Sequence, residues 1–369
     1  MKEFVVYQWD EVRFGDSQKE WSELLERSSS DKLFMSWEWL FTWWDTFSDL
    51  DNLSLRLFAA YDDEGKLVGL APLYLQQVTT KKFFKTNRLQ FLGNFWRSHV
   101  TMRTELQDFI ADNQCSNEVV TAFYKHINSL SGWDELVLSD LNKKSKSYEV
   151  LLKDLPLANS YYRNAEENDS YYLTLNDTFD VFSKSLGKNT RLKLLNRRKI
   201  LEGMGDVELV SNMNLDYKEC FDLLNSLHIK RWGRPVFEGK RLDFNRKVAE
   251  LMSEKGALHF SVLTLDNKAI SIQYNYIVDK HEYNIQAGFD EDFHKKISLG
   301  YLHFGYEIEF AFENKLKIYD FLAGEGKNTQ YKERLTKSID TIACMQIIRN
   351  RYLKILYCLY DFYRKQRGS

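Results

Sequence analysis

The chain has 369 residues, 44% of them hydrophobic and 15% aromatic, and this length favours two packed domains over one small module. Its 51 Lys and Arg against 53 Asp and Glu give a formal charge of −2, which argues against a surface built mainly to neutralise nucleic-acid phosphates. Only 3 prolines are present, so the composition excludes a Pro-rich or extensively disordered chain.

The cysteines and the hydropathy pattern indicate a reducing compartment. Cys115, Cys220, Cys344 and Cys358 show no metal-finger spacing and are too sparse for a disulfide scaffold. Acidic residues interrupt residues 1–14, which argues against a secretory leader, and no stretch reaches the roughly 18 apolar residues of a membrane span. We therefore expect a cytoplasmic protein, and contact with the inner face of the membrane stays open.

The first half of the chain begins with an aromatic helix, whose residues Trp37, Trp39, Trp43 and Trp44 we assign to the core because apolar residues continue the pattern. Three strands, a helix and a fourth strand follow in that order. Alternation and turn residues predict strands at 55–61, 67–75 and 88–92, a helix at 117–130 and a strand at 135–138.

A polar stretch at residues 159–170 is the best candidate for a domain boundary. We therefore predict an amino-terminal domain at 1–165 and a carboxy-terminal domain at 166–369. The second domain opens with a basic helix at 188–202 and a further helix at 217–231.

The second half repeats the element order of the first. Its predicted elements are strands at 259–265, 269–278 and 282–288, a helix over Tyr301 to Phe312, and a strand at 318–322. The helix and the last strand lie 183 and 184 residues after their counterparts (117 to 300 and 135 to 319), which indicates duplication. The hairpins are offset about twenty residues more, which predicts an insertion near 93–116 in the first copy. A strand at 338–348 and a basic, aromatic helix at 351–367 end the chain.

The polar loop at 288–300 joins a strand to a helix and is a candidate anion site. Ser298 is placed to cap the helix, and Gly300 lets another group approach the backbone. Unpaired amides at the helix terminus attract anions, and Lys295 and Lys296 add positive charge. A capped helix with two solvated lysines is the alternative.

Several motifs resemble those of one superfamily. Residues 295–300 (KKISLG) resemble the pyrophosphate loop Arg/Gln-x-x-Gly-x-Gly/Ala of GNAT-superfamily acyltransferases. Residues 319–325 (YDFLAGE) with 331–334 (YKER) resemble the DFL-x-GE…YK motif of double-domain GNAT proteins of the CelD/BcsL type, which are related to Fem-type aminoacyl transferases. Residues 227–232 (LHIKRW) and the basic helix resemble further elements of that type, although Leu194 and Leu195 stand where an Arg pair is common and no Pro follows Ser298.

The resemblance implies an α/β (α+β) chain of two tandem GNAT-like domains, each with a mixed, mostly antiparallel sheet flanked by helices. It implies an acyl-CoA-dependent N-acyltransferase whose co-substrate is acetyl-CoA or another acyl-CoA, bound by Lys295, Lys296, Ser298, Leu299 and Gly300. The acceptor would be an amine, such as an amino sugar in surface-polysaccharide biosynthesis. No metal and no nucleic acid are expected, and the oligomeric state stays open.

Four candidate catalytic residues lie near the second motif. Tyr331 matches the general acid of similar enzymes, with packing against the sheet as the alternative. Lys332 matches the Lys of the aromatic-Lys pair in Fem-type transferases, where it would stabilise developing negative charge, with a solvated surface lysine as the alternative. Asp320 either orients an amine or ties down the following loop. Glu325 is a candidate base.

Candidate acceptor-binding residues lie on two helices. His228 and Trp232, four apart, share a helix face beside Arg231, which suits a sugar ring or a phosphate. Core packing of Trp232 is the alternative. Arg191 and Arg198, seven apart, are predicted to share one face and grip an anionic group, unless the helix is simply solvated.

Three questions stay open at this stage. The carboxy-terminal helix either docks on its domain or contacts an anionic membrane surface. The chain could instead be a Fem-like transferase that uses aminoacyl-tRNA, although no long charged helical hairpin is evident in the sequence. A non-catalytic binding protein with decayed sites is the third possibility.

Overall fold

The computed structural model describes residues 4–80, 84–154, 160–211, 216–324 and 330–366. The chain divides into two compact units: Met1–Asn168 with Thr341–Ser369 form unit 1, and Asp169–Asp340 form unit 2. Our predicted boundary after residue 165 stays a prediction about domains. The compact units differ from it at the carboxyl end, because residues 341–369 belong to unit 1.

Unit 1 contains a mixed sheet in the order β1-β2-β3-β4-β6-β13, with β5 paired to β3. Its strands are β1 (Val5–Trp9), β2 (Ser54–Tyr61), β3 (Leu67–Thr80), β4 (Phe84–Phe91), β5 (Ile110–Ala111), β6 (Glu135–Asn142) and β13 (Ser338–Ile348). Its helices are α1 (Glu11–Gly15), α2 (Gln18–Glu26), α3 (Trp37–Phe47), α4 (Ser116–Ser129), α5 (Lys146–Asp154) and α13 (Arg351–Gln366). Strands β4 and β6 pair in parallel, whereas β1 with β2, β2 with β3, β3 with β4, β3 with β5 and β6 with β13 pair antiparallel.

Helix α3 is the aromatic helix predicted from the sequence. The Ser36 hydroxyl caps it by accepting a hydrogen bond from the backbone N–H of Trp39 at 3.2 Å. Trp37, Trp39, Trp43 and Trp44 are at most 8% exposed, so their predicted place in the core is confirmed.

Unit 2 repeats this plan in the order β7-β12-β11-β10-β9-β8. Its strands are β7 (Tyr161–Thr174), which begins in unit 1, β8 (Val207–Ser211), β9 (Leu258–Leu265), β10 (Lys268–Val278), β11 (His281–Phe289) and β12 (Ile318–Leu322). Its helices are α6 (Phe179–Ser185), α7 (Lys188–Arg191), α8 (Arg198–Glu202), α9 (Tyr217–Trp232), α10 (Lys240–Glu254), α11 (Leu299–Glu313) and α12 (Gln330–Leu335). Strands β11 and β12 are parallel, whereas β12 is antiparallel to β7.

Both units therefore contain three antiparallel strands, a helix and a parallel strand, in that order. The predicted fold class, an α/β chain of mostly antiparallel sheets flanked by helices, is confirmed. Strands β9 to β12 lie within a residue or two of their predicted positions.

The polar stretch at 159–170, predicted as the domain boundary, contains the division between the two units after Asn168. From Tyr161 onward this stretch is part of strand β7, in which Arg163 and Ala165 are buried although their neighbours are polar. The basic helix predicted at 188–202 is interrupted by a π-helical turn, Leu192–Asn196.

No helix in the described ranges is long and apolar enough to span a bilayer.

Candidate functional site

Strands β11 and β12 pair in parallel over a short ladder and then separate. The ladder pairs His281 with Ile318, Glu282 with Tyr319 and Tyr283 with Asp320. Strand β11 then continues to Phe289, and no strand in the described part of the chain pairs with it on that side. The parting leaves a gap that opens toward the carboxyl ends of both strands. Ligands of open α/β sheets bind at such carboxyl ends.

A β-bulge changes the direction of β11 beside this gap. Asn284 pairs with Asn275 of β10, but Gln286 pairs with Tyr274, so Ile285 is the extra residue. The bulge moves later side chains to the other face: Asn284 donates to Asn275 Oδ1 at 2.7 Å, whereas Gln286 donates to the His228 ring at 3.0 Å. Bulges of this kind re-aim groups next to active sites.

Asp320 holds the kink with which β12 leaves the ladder. Its Oδ1 accepts a hydrogen bond from the backbone N–H of Leu322 at 2.7 Å, and Leu322 adopts a left-handed backbone with φ of 57°. Its Oδ2 lies 3.1 Å from His281 Nε2. Asp320 is 4% exposed, so these contacts favour the second alternative, a carboxylate that ties down the following loop.

Lys332 reaches from α12 to the end of β12. Its ammonium donates to the carbonyls of Leu322 at 2.7 Å and Ala323 at 3.0 Å, and the residue is 5% exposed. A solvated surface lysine is therefore wrong. A Cβ at Gly324, whose φ is 71°, would stand 3.2 Å from this ammonium, so Gly324 gives the Lys332 side chain room.

Tyr331 packs inside unit 2. Its ring stacks on Phe304, with centroids 5.7 Å apart, and meets Tyr301 edge-on at 6.2 Å. Burial, helped by the neighbouring Tyr301, raises the pKa of Tyr331 to about 12. The phenol therefore keeps its proton near neutral pH. Its surroundings match the packing alternative.

The first turn of α11 follows the predicted anion loop. Ser298 occupies the N-cap position, but its side chain makes no capping hydrogen bond, contrary to our expectation. Lys295 and Lys296 are exposed, and neither forms an ion pair within the described part of the chain. A Cβ at Gly300 would lie 2.7 Å from the Phe289 ring, so the group that approaches this backbone is an aromatic side chain. Leu299 is buried.

His228, Arg231 and Trp232 lie on α9 beside the end of β11. The His228 ring lies 3.3 Å from the Ala287 carbonyl oxygen, and Arg231 donates to Glu291 at 2.8 Å. The Arg231 guanidinium lies over the Trp232 ring at 4.6 Å, and Trp232 is 58% exposed. Core packing of Trp232 is therefore wrong, since the indole faces solvent. Burial lowers the pKa of His228.

The two candidate arginines are separated by the π-helical turn. Because that turn holds more residues than an α-helical turn, a spacing of seven no longer aligns Arg191 with Arg198. Arg198 forms an ion pair with Glu309 and lies over the Tyr306 ring at 3.8 Å, so it joins α8 to α11. The candidate base Glu325 lies outside the described residues.

A buried polar cluster in unit 2 escaped the sequence analysis. Glu282 and Glu307 are fully buried, Glu307 Oε2 lies 3.0 Å from His259 Nε2, and Asn275 donates to Glu282 at 2.7 Å. The only sequence signal was the position of His303 and Glu307 on the apolar side of α11. The Ser261 and Ser271 hydroxyls lie 2.8 and 2.7 Å from the two His303 ring nitrogens.

The pKa values of the two carboxyl groups in this cluster are shifted in opposite directions. Burial, reinforced by the charge of Glu307, raises the pKa of Glu282 well above its usual range. Burial would also raise the pKa of Glu307, but the hydrogen bond from His259 and the electrostatic attraction to His259 lower it. Glu282 therefore carries a proton that it can share with Glu307. Burial lowers the pKa of His303 to about 4, so that ring is neutral.

The same cluster has a donor set that suits a metal ion. One ring nitrogen of His259 and one oxygen each of Glu282 and Glu307 lie within 4.8 Å of one another. Glu282 Oε2 and Glu307 Oε1 have no hydrogen-bond partner among the described residues. A shared proton or a cation would satisfy both oxygens.

The corresponding place in unit 1 is filled by protein. Beyond the short parallel ladder of β4 and β6, the backbone N–H of Gln107 donates to the Asp140 carbonyl at 3.0 Å, and Gln107 bridges to Leu141. The Asn94 amide donates to the Thr104 carbonyl at 2.8 Å and to Asp140 Oδ2 at 3.0 Å. The segment predicted as an insertion therefore covers the edge of β6.

Comparison with known proteins supports the resemblance to the GNAT superfamily. A family model described as an acetyltransferase (GNAT) domain matches residues 188–333, which lie within unit 2. No curated protein sequence matches the chain.

Three solved structures share the fold. FemX covers 95% of this chain and 99% of its own, with 10% identity and a TM-score of 0.60. A conserved protein of unknown function from Bacteroides thetaiotaomicron covers 95% and 100%, with 12% identity and a TM-score of 0.55. The carboxy-terminal domain of a putative lysylphosphatidylglycerol synthetase from Agrobacterium fabrum covers 94% and 95%, with 8% identity and a TM-score of 0.53. Residues 188–333 thus match the model of a GNAT-type acetyltransferase domain, and the fold of the chain is shared with FemX.

Proposed function

We propose that unit 2 is an acyl-CoA-dependent N-acyltransferase that acts on an amine, such as an amino sugar or a related precursor of a surface polysaccharide. The parting of β11 and β12 carries the proposal, because it leaves a gap for an extended thioester arm beside the bulge at Ile285. The first turn of α11, with no side-chain cap and with Lys295 and Lys296 preceding it, supports a diphosphate site.

Backbone N–H groups of β11 are placed to stabilise the negative charge that develops on the thioester oxygen. Beyond Tyr283, the N–H groups of β11 that point to the gap have no strand partner in the described ladder. One such N–H can donate to the thioester oxygen as negative charge develops there. The amine then attacks the thioester carbon while both groups are held in line. The C–S bond breaks, and the proton that the nitrogen loses is taken up by the departing thiolate, so the products are an amide and free coenzyme A.

Lys332 and Tyr331 contribute to the structure of the site and not to proton transfer. The Lys332 ammonium is committed to the carbonyls of Leu322 and Ala323, so it fixes the wall that β12 gives to the gap. A phenol with a pKa of about 12 is a poor donor to a thiolate whose conjugate acid has a pKa of about 8.5. A thiolate of this basicity leaves without a strong acid beside it.

Trp232 is the proposed platform for the acceptor. Its ring is 58% exposed, carries the Arg231 guanidinium on one face, and follows the half-buried His228 by one helical turn. An exposed indole beside polar donors suits the apolar face and the hydroxyl groups of a sugar ring.

Free-thiol release tests the proposal. The purified protein is incubated with acetyl-CoA or longer acyl-CoA and a panel of amino sugars, and thiol release is expected only when both substrates are present. Trp232→Ala is expected to raise the acceptor KM about tenfold, since loss of an aromatic contact costs about 1 to 1.5 kcal/mol. Tyr7→Ala, which removes an aromatic residue of unit 1 that is also 58% exposed, is the control. If no acyl-CoA is bound or turned over, the proposal fails.

Aminoacyl transfer from tRNA is the second candidate. It is favoured by the adjacent Tyr331 and buried Lys332, which resemble the aromatic-Lys pair of Fem-type enzymes. Filter binding with charged tRNA separates the two candidates, because phosphate-driven binding weakens steeply as salt rises. Salt-sensitive binding of tRNA without thiol release would identify aminoacyl-tRNA, and not acyl-CoA, as the donor.

A further inference from the structure

The two long faces of α13 have different surroundings. Leu353 and Tyr357 are 2% and 6% exposed and pack with Ile348 in unit 1. Asp361 accepts hydrogen bonds from Arg163 Nε at 2.7 Å and Nη2 at 2.6 Å, and Tyr161 donates to it at 3.1 Å. This side of the helix is therefore attached to unit 1, as the docking alternative expected.

The other side presents an apolar stripe to solvent. Its members are Tyr352, Ile355, Leu359, Phe362 and Tyr363, each between 54% and 64% exposed. They recur at intervals of three and four residues, so they form one continuous line along the helix. Isolated exposed apolar residues are ordinary, but a contiguous set marks an interaction surface.

The charges of α13 identify the kind of surface that fits this stripe. Asp361 is the only acidic residue of the helix, and its carboxylate is engaged by the buried Arg163. The remaining charged residues are basic: Arg351, Lys354, Arg364 and Lys365. Arg351 is exposed, and Arg349 lies two residues before it in the sequence. An exposed apolar line on a helix whose other charged residues are all basic complements a lipid surface with anionic headgroups.

We propose that α13 lies in the plane of an anionic membrane surface, with the stripe from Tyr352 to Tyr363 inserted at the headgroup boundary. Tyr352 and Tyr363 suit this depth, because a phenol has an apolar ring and a polar end. Pairing of α13 with α13 of a second copy would bring like charges together, since the helix offers no free carboxylate. This proposal is independent of the acyl-transfer reaction.

Vesicle co-sedimentation of the full chain tests the proposal. The protein is expected to sediment with vesicles of phosphatidylcholine and phosphatidylglycerol, to bind vesicles of phosphatidylcholine alone more weakly, and to dissociate as salt rises. The double variant Leu359→Glu with Phe362→Glu is expected to bind at least about tenfold more weakly. The control, Val12→Glu with Val181→Glu, alters two exposed apolar residues elsewhere and is expected to bind normally.

Cys358 supplies a second measurement that does not need the charged variants to fold. It is exposed in α13, whereas Cys115, Cys220 and Cys344 are buried. An environment-sensitive fluorophore on Cys358 is expected to shift to shorter wavelength when anionic vesicles are added.

Two results would overturn the proposal. The first is an unchanged fluorophore spectrum together with no sedimentation on anionic vesicles. The second is a wild-type dimer in light scattering that becomes monomeric in the Leu359→Glu and Phe362→Glu variant while vesicle binding is absent. That pattern would make the stripe an interface between two copies.

Discussion

Lys332 shows how a single side chain can define a site by supporting its wall. The ammonium is the donor for the carbonyl groups of Leu322 and Ala323, where β12 turns away from β11. We expect Lys332→Met to lower the free energy of unfolding by about 2 to 4 kcal/mol, since each buried carbonyl left without a partner costs about 1 to 3 kcal/mol. Denaturation in urea measures the loss.

Lys337→Met is the matched control for this prediction. Lys337 also donates to a backbone carbonyl, that of Glu333 at 3.2 Å, but both groups are exposed. Water replaces such a donor, so a change below about 0.5 kcal/mol is expected. Equal stability of the Lys332→Met protein and the wild type would contradict the supporting role of Lys332.

The pKa of Glu282 predicts a dependence of stability on pH. The folded protein keeps the Glu282 proton, whereas the unfolded chain releases it above a pH of about 4.3. This contribution to stability is therefore complete below that pH and is lost as pH rises toward the folded pKa. Glu282→Gln removes the effect, so its stability relative to wild type is expected to rise by about 1.4 kcal/mol per pH unit in this window. Thermal or urea denaturation at a series of pH values above the unfolded pKa of about 4.3 checks the slope.

Glu307 differs from Glu282 because its lowered pKa keeps it ionised next to His259. Glu307→Gln removes the carboxylate that His259 contacts at 3.0 Å, and we expect a loss of about 1 to 3 kcal/mol, because a buried hydrogen bond to a charged group is lost. Equilibrium unfolding of both variants distinguishes a shared proton from a bound cation. Equal losses in the two variants, with wild-type stability falling on addition of a chelator, would instead identify a metal centre.

At the scale of elements, the sequence predicted strands where apolar and aromatic runs are bounded by turn residues. Strands β9 and β10 are buried over most of their length, and the turns beside them carry Asp, Asn and Lys, so both bounds were close. Strand β7 escaped because its buried positions include Arg163, whose charge is compensated by Asp361, about 200 residues away. Such a partner is invisible in a local pattern.

The candidate site was predictable to a similar extent. The motif at 319–325 led to the end of β12, but the contacts of Lys332 and the exposure of Trp232 depend on how the chain folds around them. The cluster of His259, Glu282 and Glu307 joins three separate elements. Polar residues on an apolar helix face were its only trace in the sequence.

Helix α11 crosses the π-helical turn Leu192–Asn196 at Gly305. A Cβ at Gly305 would stand 2.1 Å from the Leu194 carbonyl oxygen, so the two segments can touch only through a glycine. We expect Gly305→Ala to destabilise the protein by about 1 to 3 kcal/mol, because the backbone must move apart. The control is Gly15→Ala in α1, where the nearest atom is 3.6 Å away. If the two variants melt alike, the close crossing is not a constraint.

At the scale of the whole molecule, the two units share an element order but differ at the equivalent strand gap. In unit 1, residues Asn94 and Gln107 occupy the edge of β6 with buried hydrogen bonds. In unit 2, the edge of β11 beyond Tyr283 has no strand partner in the described ladder. This asymmetry supports one donor site per chain, in unit 2.

If the proposed donor site lies in unit 2, Lys295 and Lys296 are the lysines that should control the binding of coenzyme A. Coenzyme A at about 100 times its Kd is expected to stabilise the wild type by about 2.7 kcal/mol, seen as a higher Tm. Lys295→Glu with Lys296→Glu places negative charge at the start of α11 and is expected to raise the concentration needed about tenfold, because the diphosphate is repelled. The control, Lys125→Glu with Lys153→Glu, makes the same charge change at exposed positions of unit 1. Equal weakening by both pairs would mean that net charge, and not the terminus of α11, governs the affinity.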